Sequence, residues 1–292
     1  MIIIILTKIL QIIYMNIEEL KKWIGSSETS EDIITSSLEQ RFRATLDIDP
    51  GDPKIGDVAS SGIHWTLAPP VYKHSDLGKD SHPKKGGFLP PVTFPRRMWA
   101  GCETDFYSKL YIGDKVTKIS SVDDISLKEG KSGKLCFVKA KYEFYVNNEI
   151  KIKEFHNIVY REISKNQNIQ KVELPFEKFD NEKSIYTHPT IMFRYSAITF
   201  NGHRIHYDYP YSTKEEFYPD LVFHGPLQAT LLLHLSEENA NKTAKKFIHR
   251  GVSPVFANMN LKLKLKKIND KEYHSFSETD PHGMAMEGKA YF

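Results

Sequence analysis

The sequence predicts an α+β fold of two related halves, in which helix packs against curved antiparallel sheet. Residues 225–239 form a long apolar helix, with Pro226 suited to its first turn and leucines on several faces, so we expect sheet to wrap around it. In the residues that follow, Leu261, Leu263 and Leu265 alternate with lysines, which is typical of a half-buried strand. A helix followed by an antiparallel meander indicates an α+β arrangement.

The N-terminal region begins with an apolar extension, residues 1–15, which lacks a basic start and is shorter than the roughly 20 residues of a membrane span. A short helix is expected from Asn16 to Trp23, with Asn16 as its cap. Residues 41–47 fit either helix or strand. The segment 50–95 is rich in proline and glycine but also carries aromatic residues, which favours an ordered, irregular layer near a site.

Strands are expected in both halves, and the second half has the better helix. In the first half they cover residues 110–119, 135–146 and, after the Asn147-Asn148 turn, 149–160. In the second half they cover residues 246–256, 261–265, 272–277 and 283–292. The predicted organisation is an extension over 1–15, an N-terminal half over 16–165, a polar connector over 166–183 and a C-terminal half over 184–292.

The composition excludes several classes of protein. The 292 residues carry 40 basic and 37 acidic side chains, a net charge of +3, so neither nucleic-acid binding nor membrane attachment is indicated. The two cysteines are 34 residues apart, which argues against a disulfide scaffold and favours the cytoplasm. No metal-ligand spacing and no dinucleotide- or phosphate-binding glycine motif is present, so we expect no metal and no cofactor.

The segment from Arg194 to Asp208 concentrates polar chemistry, because it holds Asn201, His203 and His206 within a few residues. Sixteen residues after Asp208, the tripeptide His224-Gly225-Pro226 opens the long apolar helix. Buried imidazoles and amides need hydrogen-bond partners, so apolar residues would be simpler if the segment only had to fold. The segment therefore predicts a functional site.

Two stretches of the chain carry a resemblance to a known family. They are Gly86-Gly87-Phe88-Leu89-Pro90-Pro91 with Pro95-Arg96-Arg97-Met98-Trp99-Ala100-Gly101, and the segment 193–208 with His224-Gly225-Pro226-Leu227. The chain resembles the MaoC-type enoyl-thioester hydratases and dehydratases, in the branch of mesaconyl-C4-CoA hydratase and hydroxyacyl-thioester dehydratase type 2. The resemblance implies a double hotdog, two helix-on-sheet halves in one chain.

The family motif Gly-Asp-x-Asn-Pro-x-His implies the roles of individual residues. Its histidine falls on His206 and its aspartate on Asn201, which cannot act as a base although its amide can orient water. His206 is then the expected base, and His203 a second acid or base. The Gly225 N–H at the start of the helix is expected to polarise the thioester oxygen.

Substrate-binding residues remain open among several candidates, namely Arg96, Arg97, Arg194, Arg204 and His224. An arginine could bind a substrate carboxylate. Alternatively, it could form a salt bridge within the protein or be solvated. We expect reversible hydration of a short branched or dicarboxylic enoyl-CoA such as mesaconyl-C4-CoA. The alternatives are a 3-hydroxyacyl-thioester dehydratase of fatty-acid synthesis and a non-catalytic acyl-thioester-binding protein. The expected partner is the acyl-CoA thioester, and a homodimer is compatible with the fold.

Overall fold

Ten strands form one antiparallel sheet in the computed structural model, which describes residues 16–130, 133–163 and 169–292. The sheet order is β1-β3-β4-β5-β2-β7-β10-β9-β8-β6. The strands of the first half are β1 (Ser27–Ile33), β2 (Arg96–Phe106), β3 (Lys115–Gly130), β4 (Gly133–Val146) and β5 (Glu149–Arg161). Those of the second half are β6 (Asn181–Tyr186), β7 (Lys246–Gly251), β8 (Asn260–Asn269), β9 (Glu272–Thr279) and β10 (Gly283–Tyr291).

The two halves meet where β2 pairs with β7, and this pairing makes the sheet continuous. Gly101 on β2 lies opposite Arg250 there, and a Cβ atom on Gly101 would lie 2.4 Å from the carbonyl oxygen of His249. No side chain fits at that distance. Glycine at this position therefore lets the two strands approach closely enough to pair.

Four α-helices accompany the sheet within the described residues: α1 (Ile17–Lys21), α2 (Ser36–Thr45), α3 (Pro189–Ile198) and α4 (Gly225–Ala240). Helix α4 is buried on several faces, as the sequence predicts, and it packs on β7, β8, β9 and β10. It begins after His224, contains Pro226 in its first turn, and ends at Asn241, which has a left-handed backbone. The helix is buried from Leu227 to Leu233, whereas its first two residues, Gly225 and Pro226, are half-buried, so the helix start remains open to a ligand.

The first half is covered differently from the second. Helix α2 has ten residues and packs on α3, whereas Leu20 of α1 and Val92 and Phe94 of the irregular segment cover β3, β4 and β5. The predicted asymmetry between the halves is present, and the segment 50–95 is irregular apart from two short turns of 3₁₀ helix. This segment supplies much of the first half's core.

Several element predictions need correction. The predicted strand over 246–256 ends at Gly251, just before Ser253-Pro254, and the predicted strand over 110–119 is instead the longer β3. The mixed segment 41–47 belongs largely to helix α2, while β1 and β2 had no sequence-based prediction. Strand β6 begins at Asn181, inside the predicted connector. Residues 1–15 and 164–168 lie outside the described residues.

No helix in the described part of the chain combines the length and apolar character needed to span a bilayer.

Candidate active site

The backbone around Val222 holds both His206 and its ring. A 3₁₀ turn over Arg204–His206 places it beside the segment that leads into α4, where the N–H of Val222 donates to Ile205 at 2.9 Å. The imidazole Nδ1 lies 2.7 Å from the carbonyl oxygen of Val222, and since a carbonyl can only accept, Nδ1 carries the hydrogen. In the neutral ring, Nε2 is then left with a lone pair.

The surroundings keep His206 neutral. The residue is 9% exposed, and its burial, together with the nearby His82, lowers the pKa from 6.5 to about 4 despite the opposing effect of the bond to Val222. At neutral pH the Nε2 lone pair is therefore available. A neutral imidazole fixed in one tautomer has the form required of a general base.

His224 lies against His206 and supports it. The two rings are stacked with their centroids 3.6 Å apart and an angle of 18° between them. His224 is fully buried, and its Nε2 is 2.8 Å from the hydroxyl oxygen of Ser196 on α3. Burial and the neighbouring His206 lower its pKa well below the usual value. The predicted contact of His224 with substrate is thus replaced by packing that fixes the plane of the His206 ring.

Two further imidazoles continue the row on the other side of His206. The His203 ring is 5.4 Å from that of His206 and nearly perpendicular to it, and the His82 ring is 4.2 Å from that of His203. Asn201 accepts a hydrogen bond from the His203 N–H at 3.0 Å through Oδ1, so part of its amide holds the turn that presents His203. The sequence did not single out His82, although its segment was expected to lie near a site.

Gly225 is the first residue of α4, so its N–H has no acceptor within the helix. A Cβ atom at this position would lie 3.0 Å from Cε3 of the Trp99 indole, which is tighter than a normal contact. Glycine therefore permits Trp99 to pack against the helix start. The N–H and the helix dipole together favour negative charge at this point.

Three of the four predicted arginines are engaged within the protein. Arg96 is 2% exposed and donates from Nε to Oε2 of Glu216 at 3.0 Å, so it is an internal ion pair rather than a substrate contact. Arg204 pairs with Asp208 at 2.8 Å. Arg194 is exposed and reaches the Ala44 carbonyl oxygen at 3.4 Å, linking α3 to the end of α2.

Arg97 differs from these three because it faces a cleft. The cleft has a volume of about 450 Å³, and Asp80, Lys85 and Tyr211 also line it. The positive charge of Arg97 contributes to the lowered pKa of His203 and of His82, so its guanidinium lies close to the row of imidazoles. No carboxylate forms an ion pair with Arg97 in the part of the chain that the structure describes.

A second polar cluster lies at the junction of the halves, around Glu154. Its Oε1 atom accepts from Nε2 of His64, Nε1 of Trp65 and Oγ1 of Thr104 at 2.8–2.9 Å, and its Oε2 is 3.0 Å from Nε2 of His156. Despite its burial, the carboxyl has a pKa well below the usual value because these imidazoles favour its charged form. The cluster links β5 to the 3₁₀ turn over 63–66, and the sequence did not predict it.

Two groups among the described residues have side chains of the types that bind metals, close enough for one ion. They are Asp80, His82 and His203, and Cys102, Glu154 and His156, with candidate ligand atoms within 4.8 Å of one another in each group. Neither group shows a metal-ligand spacing in the sequence, because its members come from separate segments. In the second group, hydrogen bonds already satisfy both carboxylate oxygens of Glu154.

Sequence comparison identifies relatives over most of the chain. The family model described as hydroxyacyl-thioester dehydratase type 2 matches residues 62–257. A mesaconyl-C(4)-CoA hydratase of Chloroflexus aurantiacus is 38% identical over 235 residues, which cover 80% of this chain and 84% of that protein. A mitochondrial hydroxyacyl-thioester dehydratase type 2 of Schizosaccharomyces pombe is 27% identical over 258 residues, which cover 79% of this chain and 85% of that protein.

Solved structures support the fold. A MaoC-like dehydratase from Phytophthora capsici superposes with a TM-score of 0.70 at 13% identity, covering 95% of this chain and 98% of that one. A Mycobacterium tuberculosis protein with a double hotdog fold gives a TM-score of 0.58 at 10% identity, covering 91% and 95%. The predicted double hotdog, the MaoC-type branch and the hydro-lyase class are confirmed. The chain therefore belongs to the hydroxyacyl-thioester dehydratase type 2 family.

Proposed function

We propose that this protein reversibly hydrates the double bond of a short dicarboxylic or branched enoyl-CoA, of the mesaconyl-C4-CoA type. The observation that carries the proposal is the pairing of His206 with the start of α4. The hydrogen bond from Nδ1 to Val222 leaves the Nε2 lone pair as a base, and Gly225 offers a helix-terminal N–H. The 38% identity to a mesaconyl-C(4)-CoA hydratase supports the substrate class.

The proposed reaction divides between these two groups. His206 Nε2 takes a proton from water as the water oxygen bonds to the β-carbon of the enoyl thioester. The electrons of the double bond move toward the thioester oxygen, which gains enolate character, and the Gly225 N–H stabilises that charge. A proton then reaches the α-carbon. Asn201 is proposed to orient the water through its amide group, while its Oδ1 holds the His203 N–H.

Arg97 is proposed to bind the second carboxylate of the substrate. A carboxylate that enters a cleft loses part of its hydration, and a cation compensates for that loss. Arg97 lines the cleft, and its charge acts on His82 and His203, whereas Arg96 and Arg204 pair with carboxylates of the protein. A guanidinium is suited to this task because its fork of N–H donors matches a carboxylate.

A panel of enoyl-CoA thioesters tests the proposal, followed as loss of absorbance of the conjugated thioester. We expect hydration of mesaconyl-CoA at a higher kcat/KM than that of long unbranched enoyl-CoA. Preference for long chains would favour the alternative, a 3-hydroxyacyl-thioester dehydratase of fatty-acid synthesis. Binding of enoyl-CoA without turnover would show a non-catalytic binding protein.

The remaining assignments complete the proposal. We propose division into the halves 16–165 and 184–292, no metal or redox cofactor, and a cytoplasmic location, for which two free buried cysteines are the support. A homodimer is also proposed, because Phe193, Phe200 and Tyr209 expose more than half of their surface near the site. Light scattering of the purified protein would measure its mass: a single-chain mass excludes the homodimer.

A further inference from the structure

We propose that His82, held by Asp80, is a second catalytic acid–base group that exchanges the α-carbon proton while His206 handles the proton of water. This inference rests on the proposed function and deepens it. Position 201, where the broader family motif has a carboxylate, is an asparagine in this chain. Asp80 and His82 bring a carboxylate and an imidazole to the same row of rings from a separate segment.

Hydrogen bonds hold the Asp80–His82 pair in one orientation. Nδ1 of His82 lies 3.0 Å from Oδ2 of Asp80, and the backbone N–H of His82 donates to Oδ1 of the same carboxylate, also at 3.0 Å. Since an ionised carboxylate only accepts, Nδ1 carries the hydrogen and Nε2 is the free nitrogen. A turn closes around the pair, with the Gly78 N–H donating to the His82 carbonyl oxygen at 2.7 Å.

Specific contacts dock this turn on the catalytic segment. The backbone N–H of Arg204 donates to the carbonyl oxygen of Asp80, and Nη1 of Arg204 donates to that of Lys79, both at 3.1 Å. The His82 ring consequently lies 4.2 Å from that of His203, two rings along from His206. Its side chain is 24% exposed, so it can reach a bound molecule.

The electrostatics suit proton exchange. Burial raises the pKa of Asp80, but the bond and charge of His82 and the charge of Arg97 outweigh it and lower the pKa to about 2, so the carboxylate is ionised. Burial and Arg97 lower the pKa of His82 to about 4, against the opposing effect of Asp80. A neutral imidazole backed by a carboxylate is a base whose protonated form is stabilised as it develops.

The proton count closes over one turnover. Both histidines start neutral. During hydration, His206 Nε2 takes a proton from the attacking water, that proton passes across His203 to His82, and His82 delivers it to the α-carbon of the enolate. During dehydration, His82 Nε2 takes the α-proton, the proton passes across His203 to His206, the electrons of the broken C–H bond form the double bond, and the β-hydroxyl leaves with the proton from His206 as water. The His203 ring can carry the proton because it neighbours both of the other rings.

The test compares His82→Asn with wild type in hydration of crotonyl-CoA, which has no second carboxylate. The asparagine amide can keep the bond to Asp80 while removing Nε2. We expect kcat to fall by about 10²-fold, as for loss of a general acid–base group, with little change in KM. Asp80→Asn should cost at least tenfold, and the double variant no more than His82→Asn, because the two act as a unit. His74→Asn, at an exposed histidine of the same irregular segment, is the matched control and should retain the wild-type rate.

Rescue by an added base distinguishes the loss of a catalytic group from a structural effect of the substitution. Imidazole and its substituted analogues should restore activity to His82→Ala, with a rate that depends on the pKa of the added base. A wild-type kcat in His82→Asn overturns the inference but leaves the proposed function standing, as does rescue that is independent of base pKa. Loss of activity in EDTA with recovery in Zn²⁺ would show a metal on Asp80, His82 and His203, and would also overturn it. Failure of wild type to hydrate any enoyl-CoA removes both proposals.

Discussion

Replacement of Arg97 by methionine should separate dicarboxylic from monocarboxylic substrates. Removing one member of a buried charge pair costs about 2–5 kcal/mol or more in binding energy. Arg97 is half-buried at the edge of a cleft, so we expect its removal to cost an amount at the lower end of this range. About 2 kcal/mol corresponds to roughly a 30-fold loss of kcat/KM. Crotonyl-CoA, which has no second carboxylate, should lose little.

Steady-state hydration of mesaconyl-CoA and crotonyl-CoA by the same preparations gives the required ratio. Arg194→Met is the matched control, because its side chain is exposed and contacts the Ala44 carbonyl oxygen, away from the cleft, so both substrates should behave as with wild type. Equal losses for the two substrates in Arg97→Met would refute the assignment of Arg97 to a substrate carboxylate. A selective loss of activity toward mesaconyl-CoA in Arg194→Met would instead assign the binding of the substrate carboxylate to Arg194 on α3.

Three further outcomes are expected. Asn201→Asp should keep most activity because it retains an acceptor for the His203 N–H, whereas Asn201→Ala should lower kcat more than it changes KM. Wild-type kinetics in both variants would remove Asn201 from the site. Arg96→Met should lower the free energy of unfolding by about 3 kcal/mol in denaturant titration, because Glu216 loses its buried guanidinium partner; an unchanged midpoint would contradict this. The free energy of unfolding should fall as pH drops from 6.5 toward 4, because histidines in the unfolded chain take up protons there while His82 and His206, with pKa values of about 4, remain neutral in the folded protein. For His206 alone the loss is about 3 kcal/mol. A stability that does not change over this pH range would contradict the burial of these rings.

The helix and the strands with strong patterns could be predicted from sequence. The proline at the start of α4 and its leucines on several faces fix both its position and its burial. Alternation of leucine and lysine gives β8 in the same way. In contrast, β1 consists largely of polar residues at the edge of the sheet, so no apolar periodicity marks it.

Only part of the site could be predicted from the sequence. The sequence placed Asn201, His203, His206 and Gly225 together because they follow closely along the chain. His82 lies 121 residues before His203, and only the docking of the turn over 78–82 on Arg204 brings it near. The Asp-x-His spacing within a segment rich in glycine and proline was the available signal.

The arginines show a different limit. A sequence contains the guanidinium groups but not their partners, so four arginines remained equivalent candidates. Arg96 pairs with Glu216, 120 residues away along the chain, and this pairing depends on the tertiary fold. Arg204 pairs with Asp208 four residues on, a spacing that sequence could have flagged as an ion pair.

The most direct test of the account is the rate of hydration by His206→Asn. The asparagine amide can keep the donor to the Val222 carbonyl oxygen, while the Nε2 lone pair is lost. We predict a fall in kcat of about 10²–10⁴-fold for both mesaconyl-CoA and crotonyl-CoA, with a thermal midpoint close to that of wild type. A folded His206→Asn variant with a near-wild-type kcat would show that His206 is not the base and would contradict the account.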